Sequence, residues 1–405
     1  MHTNDIPTFI LISIVLISLV IPYINMYVGT GSRFRTKVME TIIYRFVDEI
    51  CREIESIRGL RFTQNVEVKI ITTAQAIEMW APKEDYKEIP EHLRYREMLY
   101  KLSLLIPLNK SIIQLERSWV GMFLAATAGT TLYINVDYFD SRKPTTRNVL
   151  AHELAHVLQF LNFRIEWPQY LDSSLAFSTL TEGDAGLVQH MYCVKTKLCE
   201  PSPPTKLYLD DLYISLNLFP YIHGENFVRY LYEKGGWDLV NKAYEKPPKS
   251  TLMIMEPELY FGYLVNNTII TINTTISINR DARPVHIDVL GSYYVMLILA
   301  NSIGIEKSKD IAINWRGDKA HIYKVSNSTH IEWILLWNTT WSSPIYARNF
   351  YSNLTYVIST IGKALLNTQS ESLVEITINS IASWYIRTYL DEYNVFIESR
   401  YVEKL

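Results

Sequence analysis

Two histidines and a glutamate interrupt an apolar stretch, "NVLAHELAHVLQF", at residues 148–160. His152 and His156 are four residues apart, so on a helix both imidazoles lie on one face and can reach the same ion. Two imidazoles at this spacing suit Zn²⁺, and catalytic zinc sites use three protein ligands and one water. Glu153 is turned about 100° around the helix, which places its carboxylate beside that water as a general base. The alternative is a helix that carries two histidines and no metal.

A third ligand is available in "TEGDAG", residues 181–186. Glu182 follows His156 at a distance that allows a turn to bring a second helix against the first. Asp184 could accept a hydrogen bond from the outer nitrogen of a ligating histidine and fix its tautomer. Residues two apart on a helix point to nearly opposite sides, so Asp184 could equally be a solvated residue or a local backbone acceptor.

The surrounding pattern predicts the elements that position these residues. "RTKVMETIIYRFVDEICREIESI" has helical periodicity and "NVEVKIITT" alternates as a strand does, with a charged helical segment from about residue 85 to 105. "SWVGMFLAATAGTTLYINVDYF" indicates two strands joined near Gly129. "KPTTRNVLAHELAHVLQFL" and "DSSLAFSTLTEGDAGLVQHMYCVKTK" indicate two helices. Strands followed by helices predict an α+β lobe.

The region beyond residue 265 is predicted to be a separate module of mixed character. Residues 266–284, "NNTIITINTTISINRDARP", are turn-rich or strand-like and are the expected boundary. "VLGSYYVMLILANSIG" then indicates a helix and "HIEWILLWN" a strand.

The N-terminus predicts a membrane anchor. Residues 8–28 contain no charged side chain over 21 positions, enough for a helix to cross a hydrocarbon core of roughly 30 Å. A cleaved signal peptide is the alternative, but its apolar region should run only about 7 to 15 residues before a small-residue cleavage site.

Two signals disagree on which side of the membrane the body lies. Arg33, Arg35 and Lys37 follow the anchor, and the positive-inside rule would keep the body in the cytoplasm. Against this stand six glycosylation sequons, at Asn109, Asn266, Asn273, Asn327, Asn338 and Asn353. Because five of them cluster beyond residue 265, we expect an extracytoplasmic glycoprotein.

Cysteine content and charge add two further expectations. Cys193 and Cys199 are close enough to pair across a short loop, although buried free thiols are an equal alternative for them and for Cys51. The net charge is −3, with 39 basic and 42 acidic residues and no long run of one sign. Nucleic-acid binding is therefore not expected.

The HELAH motif followed by an EGDA helix resembles the gluzincin metallopeptidases, the thermolysin-like HExxH…E group. More closely, it is similar to prokaryotic membrane-anchored proteins of that type. Residues 119–134 resemble the strand pair before their zinc helix, residues 220–251 their following helical segment, and parts of residues 313–350 their C-terminal module. One departure is visible: Glu256-Pro257 stands where such proteins have His-Pro, which puts any role of a histidine there in doubt.

The resemblance implies peptide hydrolysis, in which a tyrosine or histidine helps zinc to stabilise the oxyanion. "PYIHG" resembles the Y-x-x-G element of aminopeptidase-type gluzincins, which makes Tyr221 the candidate. A core tyrosine is an equal alternative in a chain with 28 tyrosines. His223 and His190 are further candidates, each more typical of a structural residue. The strand expected at residues 120–124 could pair with an extended peptide.

The sequence and the resemblance thus predict an α+β protein with a transmembrane anchor at residues 1–30, a gluzincin-like zinc metallopeptidase domain at 31–265 and a mixed α/β module at 285–405. The metallopeptidase domain would consist of a small mixed sheet with the zinc-binding helix, followed by a helical lobe. Its metal ligands would be His152, His156 and Glu182, with Glu153 and Tyr221 catalytic and Asp184 behind the ligands. Its partners would be the membrane and a peptide or protein substrate. The rival prediction is a non-catalytic protein, such as a surface-layer or partner-binding component, in which zinc only joins two helices.

Overall fold

The computed structural model describes residues 33–81, 90–266, 283–361, 364–370, 373–379 and 383–404. Its first part contains a small sheet and the helices around it. In chain order the elements are α1 (Arg33–Arg58), β1 (Glu67–Ile71), α2 (Thr73–Trp80), α3 (Glu91–Leu102), α4 (Ile112–Trp119), β2 (Ala125–Ala128), β3 (Thr131–Asn135), α5 (Pro144–Asn162) and α6 (Leu171–Thr196). The sheet order is β1-β3-β2, with β1 parallel and β2 antiparallel to β3, so the sheet is mixed, as predicted.

The second part begins with helices and ends in a larger sheet. Its elements are α7 (Leu212–Glu245), α8 (Thr251–Met255), α9 (Pro257–Asn266), β4 (His286–Asp288), α10 (Gly291–Ile303), α11 (Ile305–Ala312), β5 (Trp315–Ser326), β6 (His330–Trp341), α12 (Pro344–Thr360), β7 (Ala364–Gln369), β8 (Leu373–Asn379), β9 (Ser383–Asp391) and β10 (Asn394–Lys404). The α7 helix bends at Gly235 and Gly236, where the backbone leaves helical φ and ψ values.

The larger sheet has the order β4-β5-β6-β10-β9-β8-β7, and its neighbouring strands are antiparallel. The β10 strand therefore lies between β6 and β9, although α12 and three strands separate it from β6 along the chain. The α12 helix packs across one face of this sheet, and α3 from the first part of the chain packs against β4, β5, β6 and β10.

Two apolar cores hold these layers together, and α6 contributes to both. The larger core takes Leu175 and Leu180 from the first half of α6, together with side chains of α3, α7, α10, β6 and β10. The smaller core takes Val188 and Tyr192 from the second half, together with α1, β3 and α5. Most residues of α6 are buried, polar ones such as Asp172 and Glu182 included, so the helix is packed on nearly all sides.

The larger core continues across the predicted boundary between residues 265 and 285. Residues from α6 and α7 lie in the same apolar cluster as residues from β5, β6 and β10. The boundary is thus a division along the chain but not a break in the packing. The expected junction itself lies almost wholly outside the described residues, which stop at Asn266 and resume at Arg283.

Two further expectations are corrected or left open. Two strands joined near Gly129 are confirmed, but the first does not lie at residues 120–124 as expected, because the chain turns at Val120 and Gly121 and β2 begins only at Ala125. Gly121 has φ +118°, a value that an L side chain rarely adopts, and this turns the backbone out of the strand. The predicted anchor at residues 8–28 lies outside the described residues. Among the helices that are described, none has the length and apolar character needed to cross a bilayer.

Candidate metal centre

Helices α5 and α6 carry the four residues of the candidate centre. Pro144 at the start of α5 has no N–H to leave unsatisfied, and the helix ends where Phe163 takes up extended backbone. The α5 residues from Val149 to Gln159 are all buried, so packing fixes the rotation of the helix and the direction of its histidines. The α6 helix brings Glu182 against them.

The ligand atoms of His152, His156 and Glu182 converge on one point. The two histidine Nε2 atoms are 3.1 Å apart, and Oε2 of Glu182 lies 3.0 Å from Nε2 of His152 and 3.3 Å from Nε2 of His156. All three side chains are buried. The group could hold a metal ion.

The outer nitrogens of both imidazoles face glutamine side chains. Nδ1 of His152 lies 3.3 Å from Oε1 of Gln189, and Nδ1 of His156 lies 3.0 Å from Oε1 of Gln159. Gln159 in turn donates from Nε2 to the backbone carbonyl of Thr181 at 2.9 Å. Because each Nδ1 donates its proton to a glutamine oxygen, each Nε2 presents a lone pair to the ligand cluster.

This donor set fits a tetrahedral metal ion. Two imidazole lone pairs and a carboxylate converge in a buried space, an arrangement that requires a positive charge at its centre. Ligand atoms bound at about 2.0–2.1 Å around tetrahedral zinc stand ~3.3 Å apart. The observed separations of 3.0 to 3.3 Å are close to this value.

The electrostatics of the cluster also favour a cation. Burial opposes a charge on His156, but the Glu182 carboxylate outweighs this and raises the pKa of His156 to about 9. Burial likewise disfavours the charged form of Glu182, yet His156 and His152 hold its pKa below the ordinary value. The cluster therefore attracts one positive charge, which a metal ion or a proton can provide.

Glu153 is a buried carboxylate beside this cluster. It is fully inaccessible to solvent. Neither carboxylate oxygen makes a hydrogen bond of normal geometry with a residue that the structure describes, although the Thr127 hydroxyl is close enough to lower the pKa of Glu153. Burial raises its pKa, whereas the neighbouring His156 and His152 lower it. Thr127 of β2 donates to the backbone carbonyl of Glu153 at 2.9 Å, which ties the small sheet to the helix at this residue.

Asp184 does not support a metal ligand in the way the sequence suggested. Its carboxylate accepts hydrogen bonds from Nε of Arg58 at 2.7 Å and from the hydroxyl of Tyr244 at 2.8 Å. The expected role behind the histidines is therefore wrong and belongs to Gln189 and Gln159. The reason is helical geometry, because two residues turn Asp184 away from the side on which Glu182 lies.

A contact between two glycines places α7 against α6 beside Glu182. A Cβ atom on Gly183 would lie only 2.1 Å from the carbonyl oxygen of Gly224, so the two backbones touch. Tyr221 is half-buried against the larger core, one helical turn before Gly224. Its predicted contact with an oxyanion stays a prediction.

The other histidines considered from the sequence have structural surroundings. The His223 ring lies 4.7 Å from the Phe219 ring and 5.9 Å from the Tyr293 ring, and burial lowers the His223 pKa to about 4. His190 pairs with Glu225 at 3.0 Å on the partly exposed side of α6. Glu256, at the expected His-Pro position, follows the end of α8.

Of the three cysteines, Cys193 and Cys199 form a disulfide, and Cys51 is a free thiol. The disulfide joins the last turn of α6 to the loop that follows it. Its neighbours include Asn148, whose Nδ2 lies 3.6 Å from Sγ of Cys193.

The fold and the donor set define an α+β protein with a buried His-His-Glu group that could bind a metal ion. A family model described as the eCIS core domain matches residues 123–162, which include β2, β3 and the whole of α5. No curated protein and no solved structure matches the chain. This match covers the HELAH helix but gives no direct evidence for the gluzincin group, so the gluzincin assignment stays a prediction.

Proposed function

We propose that the protein is a membrane-anchored, zinc-dependent peptidase of gluzincin type. The main support for the proposal is that two possible metal ligands and a possible general base lie on one buried helix. His152 and His156 converge with Glu182. The Glu153 carboxylate is close enough to His156 and His152 for them to lower its pKa, and it makes no hydrogen bond of normal geometry with a described residue. A purely structural site has no use for that carboxylate, whereas hydrolysis requires a base there.

Each residue has a defined part in this mechanism. His152, His156 and Glu182 would hold the zinc ion, which supplies a Lewis acid for the scissile carbonyl and lowers the pKa of water. Glu153 accepts the proton from the attacking water and returns it to the leaving amine. Tyr221 donates a hydrogen bond to the developing oxyanion.

A peptide is the substrate class that the surroundings favour. The β2 strand is at the edge of the small sheet and is hydrogen-bonded to the backbone of Glu153 through Thr127. An extended peptide can add to such an edge by main-chain hydrogen bonds, which places a peptide carbonyl near the base.

The proposed location is outside the cytoplasm, with the body held by the apolar segment at residues 8–28. The Cys193–Cys199 disulfide supports this location, because disulfides persist mainly in oxidising compartments. The exposed sequons at Asn109 and Asn327 point the same way, whereas Asn338 is buried in β6 and cannot carry a glycan in the folded protein.

A structural zinc site is the second candidate, and the burial of the centre favours it. The exposed fraction is 3% for His152, 6% for His156 and Glu182, and 0% for Glu153. Structural zinc sites are closed, whereas a catalytic site must admit its substrate. Only three protein ligands converge among the described residues, however, and catalytic sites use three.

Replacing the two glutamates one at a time distinguishes a catalytic metal site from a structural one. In the purified full-length chain, Glu153→Gln should keep about one zinc and the wild-type melting temperature but abolish peptide hydrolysis, because an amide cannot take the proton. Glu182→Gln should lose zinc affinity and thermal stability together, because a ligand is weakened. Metal content, melting temperature and hydrolysis of a broad peptide library are measured on the same samples.

Two outcomes would contradict the proposal. A Glu153→Gln protein that holds zinc and cleaves peptides at the wild-type rate would remove the general base. A wild-type protein that holds zinc but cleaves no library peptide would favour the structural site.

A further inference from the structure

A chain of side-chain amides runs from His152 to the loop beyond α6. Gln189 accepts from Nδ1 of His152 and donates from Nε2 to Oδ1 of Asn148. Asn148 in turn donates from Nδ2 to the backbone carbonyl of Glu200 at 2.6 Å. Ser202, two residues further along the loop, lies 3.3 Å from Nε2 of Gln189 and 3.2 Å from Oδ1 of Asn148.

The backbone carbonyl at the end of this series of hydrogen bonds determines which group donates and which accepts in each of them. A carbonyl oxygen can only accept, so Asn148 must turn its NH₂ group toward Glu200 and its Oδ1 toward Gln189. Gln189 must then turn its own NH₂ group toward Asn148 and its Oε1 toward His152. His152 consequently carries its proton on Nδ1 and keeps the lone pair on Nε2 for the metal.

The disulfide holds the anchoring carbonyl in place. Glu200 directly follows Cys199, whose disulfide to Cys193 ties the loop to the last turn of α6. The loop leaves α6 through Lys197 in a left-handed conformation and has no helical hydrogen bonds of its own beyond that residue. Asn148 and Gln189 are 8% and 7% exposed, so water cannot readily replace a lost partner.

The second imidazole has a matching chain that does not depend on the disulfide. His156 donates to Gln159, and Gln159 donates to the carbonyl of Thr181, which lies inside α6. Each glutamine is thus oriented by a backbone carbonyl group, and it in turn determines which nitrogen of a ligand histidine carries the proton. Only the chain that serves His152 ends on a loop.

We propose that Gln189 and Asn148 are positioning residues for His152, and that the Cys193–Cys199 disulfide holds in place the backbone carbonyl that orients them. The inference rests on the proposed metal site but not on peptidase activity. Loss of the disulfide releases the carbonyl of Glu200, so the two amides can rotate and the orientation of His152 is no longer imposed. The disulfide thereby controls metal affinity from outside the ligand set.

The test is a double-mutant cycle read by metal affinity on the full-length chain. Zn²⁺ affinity is measured by competition with a chromophoric chelator, and the visible spectrum of the Co²⁺ form reports ligand geometry. Gln189→Leu should weaken binding by about 10- to 100-fold, the usual loss for a partner of a ligating histidine. The double substitution Cys193→Ala and Cys199→Ala should cause a similar loss, and Gln189→Leu added to it should cost less than about 3-fold more.

Gln159→Leu is the matched control. It should weaken binding by the same 10- to 100-fold whether or not the disulfide is present, because its anchor is in α6. If the cysteine variant does not fold, as judged by circular dichroism, Asn148→Ala takes its place. That variant keeps the disulfide and cuts the same chain at its middle.

The outcomes distinguish this inference from the proposed function. Wild-type protein that binds neither Zn²⁺ nor Co²⁺ would overturn the metal site itself. Wild-type protein that binds metal, while a folded disulfide-free variant keeps the same affinity and Co²⁺ spectrum, would overturn the positioning role alone. Fully additive losses from Gln189→Leu and the cysteine substitutions would also overturn it.

Discussion

Glu153 is the residue on which the choice between a catalytic and a structural site depends. Other buried carboxylates of the molecule have donors: Asp184 binds Arg58 and Tyr244, and Asp318 binds two backbone N–H groups. The carboxylate of Glu153 has no donor at normal hydrogen-bond geometry within the described part of the chain. A buried polar group without a partner costs free energy, and this cost beside a group that could bind a metal ion is the reason for proposing a general base here.

Tyr221 can be tested by removal of its hydroxyl alone. If the hydroxyl donates to the oxyanion, Tyr221→Phe should lower kcat by roughly 10²- to 10³-fold with little change in KM. Tyr263→Phe is a control, because Tyr263 is another half-buried tyrosine of the helical region. A Tyr221→Phe enzyme with the wild-type kcat would show that the ring serves only packing.

The sequence predicts the residues that could bind the metal ion, but it does not predict the residues that orient them. The four-residue spacing of the histidines is local, and the α5 helix preserves it. Gln159 and Gln189 were missed, although Gln159 lies three residues after His156 and Gln189 seven after Glu182, both on the same helical faces as those ligands. Helical spacing from each ligand would have found them. The role predicted for Asp184 is wrong because residues two apart on a helix point to nearly opposite sides, so Asp184 does not face the ligands beside Glu182.

At the scale of elements, the crossing of α6 and α7 depends on the absence of two side chains. Gly183 and Gly224 meet backbone to backbone, which brings α7 close beside Glu182. Close helix approach of this kind requires small residues at the contact, since any Cβ would separate the axes. The glycine of the EGDA segment thus has a packing role.

Gly183→Ala should therefore destabilise the protein. The new Cβ would meet the Gly224 carbonyl, and overpacking of this kind costs about 1–3 kcal/mol, with a loss of metal affinity as Glu182 moves. Gly186→Ala, one turn further on, is the matched control: its Cβ would lie 3.8 Å from Cβ of Glu225, and alanine favours the helix by about 0.5–1 kcal/mol. Chemical unfolding measures both. Equal effects of the two substitutions would show that the contact is not tight.

The sequence predicts helices and strands that have a strong local pattern, but it does not predict which strands pair in the sheets. The helix that carries His152 and His156, the helix after it and the strand at "HIEWILLWN" all appear where the periodicity predicts them. The position of β10 between β6 and β9 could not be predicted, because alternation shows that a segment is a strand but not which strand it joins. The packing of α3 on the larger sheet was missed for the same reason.

At the scale of the whole molecule, three buried aspartates join the starts of helices to distant parts of the chain, and two of them, Asp288 and Asp318, belong to the larger sheet. Asp172 at the start of α6 accepts from Thr251 of α8, Asp288 of β4 accepts from Leu171, and Asp318 of β5 accepts from the backbone of Leu290 and Gly291. Each carboxylate thus binds backbone N–H groups at the start of a helix from another part of the chain, where negative charge is favoured.

These aspartates make stability depend on pH. Burial, with smaller contributions from the charges of Asp318 and Asp288, raises the pKa of Asp172 to about 7, although the hydrogen bonds from Thr251 oppose this rise. The folded state therefore binds a proton more tightly than the unfolded state, whose pKa is about 3.9, and the contribution of this group to stability decreases as pH rises from about 4 to 7. Asp172→Asn keeps an oxygen acceptor and cannot ionise, so its melting temperature relative to wild type should be higher at pH 8 than at pH 5.

Asp140→Asn is the control for this prediction. Asp140 pairs with Arg142 at the surface, chiefly through side-chain hydrogen bonds that lower its pKa to about 2, so it does not titrate between pH 5 and 8. Its difference from wild type should be the same at both pH values. A difference for Asp172→Asn that is likewise constant would show that Asp172 does not titrate in this range.

The insertion of β10 between β6 and β9 has a consequence for synthesis on the ribosome. A nascent chain gains about 5–20 residues per second, so several seconds pass between completion of β6 at Trp341 and arrival of β10 at Asn394. During that interval one edge of β6 lacks its partner, and Trp333, Trp337 and Trp341 lack part of their final covering. Such an edge can pair with other chains, so correct folding competes with aggregation until translation has passed β10.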